Sequence, residues 1–260
     1  MNTQNRDTGT RPSVDVEDLA QFERLGAQWW DEKGVMAPLH HLNPTRIRFI
    51  RDAILSQFGK TVASSGPGPG LPLAGLTLLD IGCGGGLLSE PLTRLGGRVT
   101  GIDPGPSNIA VARDHAEAVG LAIDYRATTA EALAAEKAKF DVVIASEVIE
   151  HVLDQPRFVA TCSSLVAPGG LLIMSTLNRT AKAFLLAIVG AEYVLRWLPR
   201  GTHRWDRFVR PIELARWMSR AGLHPKTPVG MVFNPLRNEW SLGCDTDVNY
   251  ILAAALKLTI

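Results

Sequence analysis

The feature that most constrains this chain is a glycine-rich turn between a predicted strand and a predicted helix. The mostly apolar run 76–81 indicates a strand. It is followed directly by glycines at alternate positions, Gly82, Gly84 and Gly86, and a run with helical periodicity begins at Leu87. Glycine permits a tight turn and lets backbone N–H groups approach a ligand closely. The segment therefore predicts a ligand-binding turn at the end of a strand.

From residue 76 onward, short apolar runs alternate with runs that have helical periodicity. The predicted strands cover 76–81, 98–103, 123–126, 140–145, 171–176, 226–233 and 239–244. The predicted helices cover 87–95, 107–119, 154–166 and 211–221, with one more after a capping box of Thr128 and Glu131. This order predicts an α/β fold, a Rossmann-like seven-stranded sheet with helices on both faces. Ligands of such sheets bind beyond the carboxyl ends of the strands.

The chain is predicted to form a single domain, residues 13–260, after a disordered tail at 1–12. Residues 13–60 are expected to be an N-terminal helical extension. Residues 64–70 have the composition of a flexible linker. Residues 178–210 interrupt the alternation of strands and helices after the fifth strand and are expected to be an inserted amphipathic segment.

Two helices are expected in the N-terminal extension. Asp15 would cap the first, which runs to about Trp30. Residues 34–42 are expected to form a loop. Asn43 and Pro44 would then start the second helix, because asparagine is a favoured N-cap residue and proline is favoured at the first helical position.

Composition and cysteine usage limit the classes of protein. The formal net charge of +1 predicts no global attraction to nucleic acid. The three cysteines form no CxxC pair, which argues against a disulfide framework or a structural zinc site. Residues 1–12 lack the apolar core of a secretory signal, and the longest apolar run, 183–189, is too short to span a bilayer. We therefore expect a cytoplasmic enzyme.

The glycine spacing and an acidic residue indicate the class of cofactor. Asp103 ends the second predicted strand 21 residues after Gly82, which suits an acid that accepts hydrogen bonds from ribose hydroxyls. A dinucleotide fingerprint would require glycine where the chain has Leu87. The GxGxG pattern instead resembles the first motif of the seven-stranded S-adenosylmethionine methyltransferases. Segments 140–152 and 165–171 match the same superfamily in order and spacing.

Further segments point to a narrower family. They are 29–31, 38–40, 43–46, 175–179, 189–193, 201–203 and 247–250. Together they resemble the ubiquinone-biosynthesis O-methyltransferase family, over about residues 15–252. The resemblance implies transfer of a methyl group from S-adenosylmethionine to a phenol or catechol hydroxyl of a polyprenylated precursor, at both O-methylation steps of the pathway.

The resemblance also implies which residues contact the cofactor. They are Arg46, Gly82, Asp103 and Ser146. Arg46 would bind the methionine carboxylate through a bidentate pair. Family members often carry a methionine at the position of Ser146, and a serine there would lose apolar contact with the adenine.

Three side chains after the fourth predicted strand are candidates for catalysis. Glu147, Glu150 and His151 form an E-x-x-E-H cluster at the edge where the substrate would bind. A phenol has a pKa of about 10, judging from tyrosine, so it needs a base or a metal ion at neutral pH. In one interpretation all three side chains hold Mg²⁺; in another His151 is the base and the glutamates orient it; in a third the cluster has no chemical role. The family resemblance favours dependence on a divalent metal.

Residues 178–210 are predicted to contact an anionic membrane surface. One helical face would carry Phe184, Ile188, Ala191, Leu195 and Leu198. The segment has seven basic and two acidic side chains, a net charge of +5. A basic and apolar segment fits an interfacial anchor, so we expect peripheral association with the inner membrane. An active-site lid and a dimer face are the alternatives.

Other function classes are alternatives to this prediction. A methyltransferase acting on nitrogen or carbon of another small molecule is compatible with the glycine turn. An NAD-dependent oxidoreductase is disfavoured by Leu87. An intact cofactor turn argues against a catalytically silent membrane-docking subunit. The sequence has no catalytic cysteine motif or appended RNA-binding module, so no nucleic acid partner is expected, whereas other ubiquinone-biosynthesis proteins are possible partners.

Overall fold

The computed structural model of the chain describes residues 13–24, 26–62, 70–186 and 204–257. The helices are α1 (Val16–Glu23), α2 (Ala37–Val62), α3 (Ser89–Arg94), α4 (Pro106–Ala118), α5 (Ala130–Ala135), α6 (Gln155–Ser164), α7 (Ala181–Ala183) and α8 (Pro211–Arg220). The strands are β1 (Thr77–Ile81), β2 (Arg98–Asp103), β3 (Asp124–Ala127), β4 (Phe140–Ser146), β5 (Val166–Leu177), β6 (Leu223–Pro225), β7 (Val229–Asn234), β8 (Glu239–Gly243) and β9 (Asn249–Leu256). Short 3₁₀ helices cover Gly26–Trp30, Ile149–His151 and Trp205–Arg207.

The strands form one sheet in the order β3-β2-β1-β4-β5-β9-β7-β8, with β6 also paired to β9. The first five strands of this order are parallel, and β9 runs antiparallel to β5. The Rossmann-like prediction is confirmed. The described residues contain nine strands rather than the predicted seven, partly because β6 and β7 pair with different ends of β9 and so share one position in the sheet.

Buried side chains pack on both faces of the sheet, as expected for a parallel sheet covered by helices. Adjacent residues of β1 take part in different clusters, since side chains alternate along a strand: Leu79 packs with residues of α5, α6 and α8, whereas Leu78 packs with residues of α2 and α3. This two-sided core leaves the carboxyl ends of β1, β2, β4 and β5 at one common edge.

The N-terminal extension differs from the prediction. The first helix ends at Glu23, and a separate 3₁₀ turn leads to Trp30. The predicted loop at 34–42 is wrong, because α2 begins at Ala37 and continues through Pro44. Proline lacks the backbone N–H that an interior helical position donates. The helix nevertheless packs a buried face on the sheet, through Leu42, Ile50 and Ile54.

Asn43 is not a helix cap in the structure. Its Nδ2 donates to the backbone oxygen of Leu87 at 2.6 Å, and its Oδ1 accepts from Arg46 at 3.0 Å. The local rule for an Asn-Pro helix start therefore fails, because tertiary contacts occupy the asparagine side chain.

Two smaller predictions also need correction. Thr129, and not Thr128, caps α5 by accepting from the backbone N–H of Ala132, and Glu131 accepts instead from the hydroxyl of Ser13 at 2.7 Å. Strand β9 was not predicted: half of it is the run 252–255 of leucine and alanine, and only Tyr250 and Ile251 belong to the aromatic and β-branched residues typical of strands.

Several predictions lie wholly or largely outside the described residues. They concern the tail at 1–12, the linker at 64–70 and most of the segment at 178–210, for which the structure describes only 178–186 and 204–210. No helix in the part of the chain that the structure describes is long and apolar enough to cross a membrane.

Candidate active site

One cavity of about 230 Å³ opens at the carboxyl ends of the central strands. Every residue that the sequence analysis assigned to a site lines this cavity. These residues are Arg46, Gly82, Asp103, Ser146, Glu147, Glu150 and His151. Its position agrees with the general rule for open α/β sheets.

The glycine turn after β1 forms one wall. Gly82 and Gly84 have φ angles of +69° and +52°, which side chains other than glycine rarely adopt. A Cβ on Gly82 would lie 2.6 Å from Cγ2 of Val148, and one on Gly84 would overlap the ring of Trp29. The turn thus needs glycine for both its backbone conformation and its close packing.

The two neighbouring tryptophans pack against the glycine turn, and Trp29 also lines the cavity. Trp30 donates from Nε1 to the backbone oxygen of Gly85 at 2.9 Å, and its ring stacks on that of His115 at 3.5 Å. Trp29 donates from Nε1 to Oδ1 of Asn108 at 3.0 Å. The 3₁₀ turn that carries them therefore connects the glycine turn to α4.

Asp103 lies opposite the glycine turn at the end of β2. Its carboxylate accepts hydrogen bonds from the backbone N–H of Gly84 at 3.1 Å, from that of Gly105 at 2.8 Å and from Nδ2 of Asn108 at 3.1 Å. Burial raises the pKa of Asp103, and these three donors oppose that rise. A carboxylate has about four lone-pair positions, so a position remains for a ligand hydroxyl.

Arg46 brings a buried cation to the cavity. Only 4% of its surface is exposed. It donates from Nη2 to Asn43, as described above, and from Nη1 to Oγ of Ser146 at 3.0 Å. Its Nε has no hydrogen-bond partner among the described residues, and burial lowers its pKa. A buried guanidinium with an unpaired N–H is suited to bind an anionic group of a ligand.

Glu147 and Glu150 lie together at the end of β4. Glu147 has a φ of +56° and accepts from the hydroxyl of Ser175 at 2.6 Å. Glu150 accepts from the hydroxyl of Thr176 at 2.8 Å through Oε2, while its buried Oε1 has no partner within the described structure. Burial, and then the nearby charge of Glu147, raise the pKa of Glu150 well above its usual value.

His151 faces a different set of side chains. Its Nδ1 lies 3.1 Å from Oδ2 of Asp18, and its ring meets Phe22 edge-on with the ring centroids 5.0 Å apart. Arg207 contacts the same Asp18 oxygen at 3.2 Å and Asp15 at 2.6 Å. A carboxylate on one nitrogen of an imidazole fixes the orientation and tautomer of the ring, as catalytic histidines require.

Comparison with known proteins identifies the family. Residues 79–174 match a family model described as a methyltransferase domain. The ubiquinone biosynthesis O-methyltransferase of Azorhizobium caulinodans is 55% identical over 240 residues, which cover 92% of this chain and 93% of that protein. The enzyme of the same name from Methylocella silvestris is 56% identical, over 94% and 96% of the two chains. The chain belongs to the ubiquinone biosynthesis O-methyltransferase family.

A solved structure supports the fold of this family member. The magnesium protoporphyrin IX methyltransferase of Synechocystis PCC 6803, with bound S-adenosylmethionine, matches with a TM-score of 0.58 and 16% identity. The match covers 95% of this chain and all of that one. The chain thus has the fold of the S-adenosylmethionine-dependent methyltransferases. The predicted enzyme class is confirmed by the two relatives and by the matched methyltransferase domain.

The predicted three-ligand metal set is not assembled in this family member. No three His, Cys, Asp or Glu side chains in the described ranges are grouped so that they could hold a metal ion. Glu147 and Glu150 are neighbours, but His151 pairs with Asp18 instead of joining them. The two carboxylates, with the unpartnered Oε1 of Glu150, remain the candidate oxygen ligands.

Sequence reasoning missed several side chains of the site. They are Asp18, Asn108, Ser175 and Arg207. Asn108 was detectable in principle, because it lies in the first turn of the helix after Asp103, the residue predicted to bind the ribose hydroxyls. The other contacts join residues far apart in the chain, such as Asp18 with His151, and no local pattern marks them.

Proposed function

We propose that this chain transfers a methyl group from S-adenosylmethionine to a phenol or catechol hydroxyl of a polyprenylated ubiquinone precursor, at both O-methylation steps. The observation that carries the proposal is 55% identity over nearly the whole chain to a protein named for ubiquinone biosynthesis O-methylation. The cavity supports it, because its walls combine a glycine turn, a fixed carboxylate and a buried guanidinium.

The cofactor assignment follows from the chemistry of each wall. The Asp103 carboxylate would accept hydrogen bonds from the ribose hydroxyls. Gly82 lies next to it and would let the backbone come close to the cofactor. Arg46 would bind the methionine carboxylate, for which its unpaired Nε–H is available. The Ser146 hydroxyl is hydrogen-bonded to both Arg46 and Ser175. It would lie beside the cofactor, on the side that Arg46 occupies.

We assign proton removal from the acceptor hydroxyl to His151. Its imidazole would take up the proton while the Asp18 carboxylate holds the ring through Nδ1. S-adenosylmethionine, held by Asp103 and Arg46, would supply its methyl group to the resulting phenolate oxygen and would leave as a neutral thioether. The enzyme otherwise contributes alignment of the two reactants, which can supply a large part of the rate enhancement.

We further propose that Glu147 and Glu150 hold a divalent cation beside the substrate. Mg²⁺ is commonly bound by one or two carboxylates together with substrate oxygens and water, so two protein ligands are sufficient. The unpartnered Oε1 of the buried Glu150 and the proximity of the partly buried Glu147 support this assignment. A bound cation would lower the pKa of a catechol hydroxyl that coordinates it.

Peripheral contact with the cytoplasmic face of the inner membrane is part of the proposal. Its support is a row of exposed apolar side chains, Phe184, Leu185 and Leu186, which are 42%, 57% and 54% exposed and lead into the undescribed part of the 178–210 segment. The charges of this segment contribute less than its sequence suggests. Four of its basic side chains form ion pairs: Arg179, Lys182, Arg204 and Arg207. Contact with other ubiquinone-biosynthesis proteins stays a prediction.

The proposed function is tested with a short-tailed prenylated catechol and S-adenosylmethionine. Mass spectrometry and nuclear magnetic resonance of the product identify which atom receives the methyl group. Methylation at nitrogen or carbon of a different small molecule, with the catechol unused, would favour the alternative substrate class.

A further inference from the structure

A line of hydrogen bonds joins Arg46 to Glu147 across the carboxyl ends of β4 and β5. Arg46 Nη1 lies 3.0 Å from Ser146 Oγ. Ser146 Oγ lies 2.8 Å from Ser175 Oγ, and Ser175 Oγ lies 2.6 Å from Oε1 of Glu147. Ser175 is fully buried, so neither of its hydrogen bonds can be replaced by bulk water.

The number of protons fixes the direction of this line. The hydroxyl of Ser175 donates to Oε1 of Glu147 and has only one proton to give. Ser175 Oγ must then accept from the hydroxyl of Ser146, whose oxygen in turn accepts from the Arg46 guanidinium. Each donor within this line has one acceptor, and consecutive bonds that point the same way reinforce each other.

Ser175 also contacts the backbone of Glu147. The N–H of Glu147 donates to the backbone oxygen of Ser175 at 3.0 Å. Glu147 needs such support because its φ of +56° is uncommon for a residue with a side chain. A single residue of β5 therefore holds both the backbone and the carboxylate of Glu147.

We propose that Ser175 is a positioning residue, which fixes the Glu147 carboxylate toward the reacting hydroxyl and is itself oriented by Ser146 and Arg46. The inference rests on the proposed function, because it assumes that Glu147 acts in O-methyl transfer. It also gives the hydroxyl at position 146 a role, which is to continue the line of hydrogen bonds from the Arg46 guanidinium to Ser175.

The test is a double-mutant cycle with Ser175→Ala and Glu147→Ala, assayed with the prenylated catechol. Ser175→Ala is expected to lower kcat about 10- to 100-fold, as the loss of a hydrogen bond to a charged group does, with the Kd for S-adenosylmethionine within about twofold of wild type. In the Glu147→Ala background the same substitution is expected to change kcat less than about twofold, because the carboxylate that it positions is gone.

Ser163→Ala is the matched control, since Ser163 is also buried and donates a 2.7 Å hydrogen bond, but within α6. It is expected to keep the wild-type kcat. A wild-type kcat in Ser175→Ala, or an equal loss in both backgrounds, would overturn the positioning role alone. Wild-type protein that methylates no catechol hydroxyl would overturn the proposed function together with this inference.

Discussion

Nδ1 of His151 lies 3.1 Å from Oδ2 of Asp18, so the N-terminal helix α1 supplies the partner of the candidate base after β4. Arg207 lies in the 178–210 insertion, in the part that the structure describes again from residue 204, and it contacts the same Asp18 oxygen. One carboxylate therefore joins the N-terminal extension, the candidate catalytic edge and the insertion. None of the three side chains is more than one-fifth exposed, so solvent screens this group only in part.

Asp18→Asn is expected to lower kcat for the catechol about 10- to 100-fold. An amide can present its N–H₂ group to Nδ1 and favour the wrong imidazole tautomer, and it orients the ring less firmly. Steady-state methyl transfer at saturating S-adenosylmethionine measures the effect. Asp52→Asn is the control, because Asp52 pairs with Arg51 on the exposed surface. Equal kcat values for the two variants would exclude a role for Asp18.

Asp103→Ala is expected to weaken the binding of S-adenosylmethionine by about 1–3 kcal/mol, the cost of leaving buried hydrogen-bonding groups without a partner. Isothermal titration calorimetry measures the affinity, and circular dichroism checks the fold. Asp124→Ala, at an exposed carboxylate of β3 that pairs with Arg126, should leave the affinity unchanged. Unchanged affinity in a folded Asp103→Ala variant would remove Asp103 from the site.

Removal of divalent cations tests the role of the carboxylate pair. EDTA is expected to abolish turnover while S-adenosylmethionine still binds, and Mg²⁺ should restore turnover to the wild type. The double variant Glu147→Ala, Glu150→Ala should not respond to Mg²⁺, because its oxygen ligands are absent. Full turnover in EDTA would instead leave His151 as a base that acts without a metal.

Membrane contact is tested by sedimentation with vesicles of anionic phospholipid. The double variant Leu185→Glu, Leu186→Glu should remain in the supernatant, because two carboxylates would replace exposed apolar side chains at an anionic surface. Leu236→Glu is the control, at a side chain 96% exposed between β7 and β8. If the wild-type protein itself does not sediment at low salt, the 178–210 segment is not a membrane anchor.

The parts of the site that follow a local rule could be predicted from sequence. The glycine turn and Asp103 were found because their roles depend on spacing within one strand–turn–helix–strand unit. Glu147, Glu150 and His151 were found because polar residues after a buried strand lie at the ligand-binding edge. All of these residues line one cavity, although their chemical roles stay predictions.

The parts that depend on tertiary contacts could not be predicted. Asp18 and His151 are 133 positions apart, and nothing in the N-terminal sequence marks Asp18 as a partner for an imidazole. Tertiary contacts also explain why Pro44 lies inside α2 and not at its start, because burial of the helix outweighs the local preference for a helix start. The pairing of His151 with Asp18 of α1 is likewise a tertiary contact that the spacing of the E-x-x-E-H cluster does not indicate.

The most direct test of the central claim is methyl transfer from isotopically labelled S-adenosylmethionine to a short-tailed prenylated catechol, in the presence of Mg²⁺. We expect the wild-type protein to form a product with one labelled methyl group on oxygen. At subsaturating cofactor, Asp103→Ala should form less of this product, in proportion to its loss of affinity for S-adenosylmethionine. Wild-type protein that binds S-adenosylmethionine but leaves every catechol oxygen unlabelled would show that the proposed O-methyl transfer is wrong.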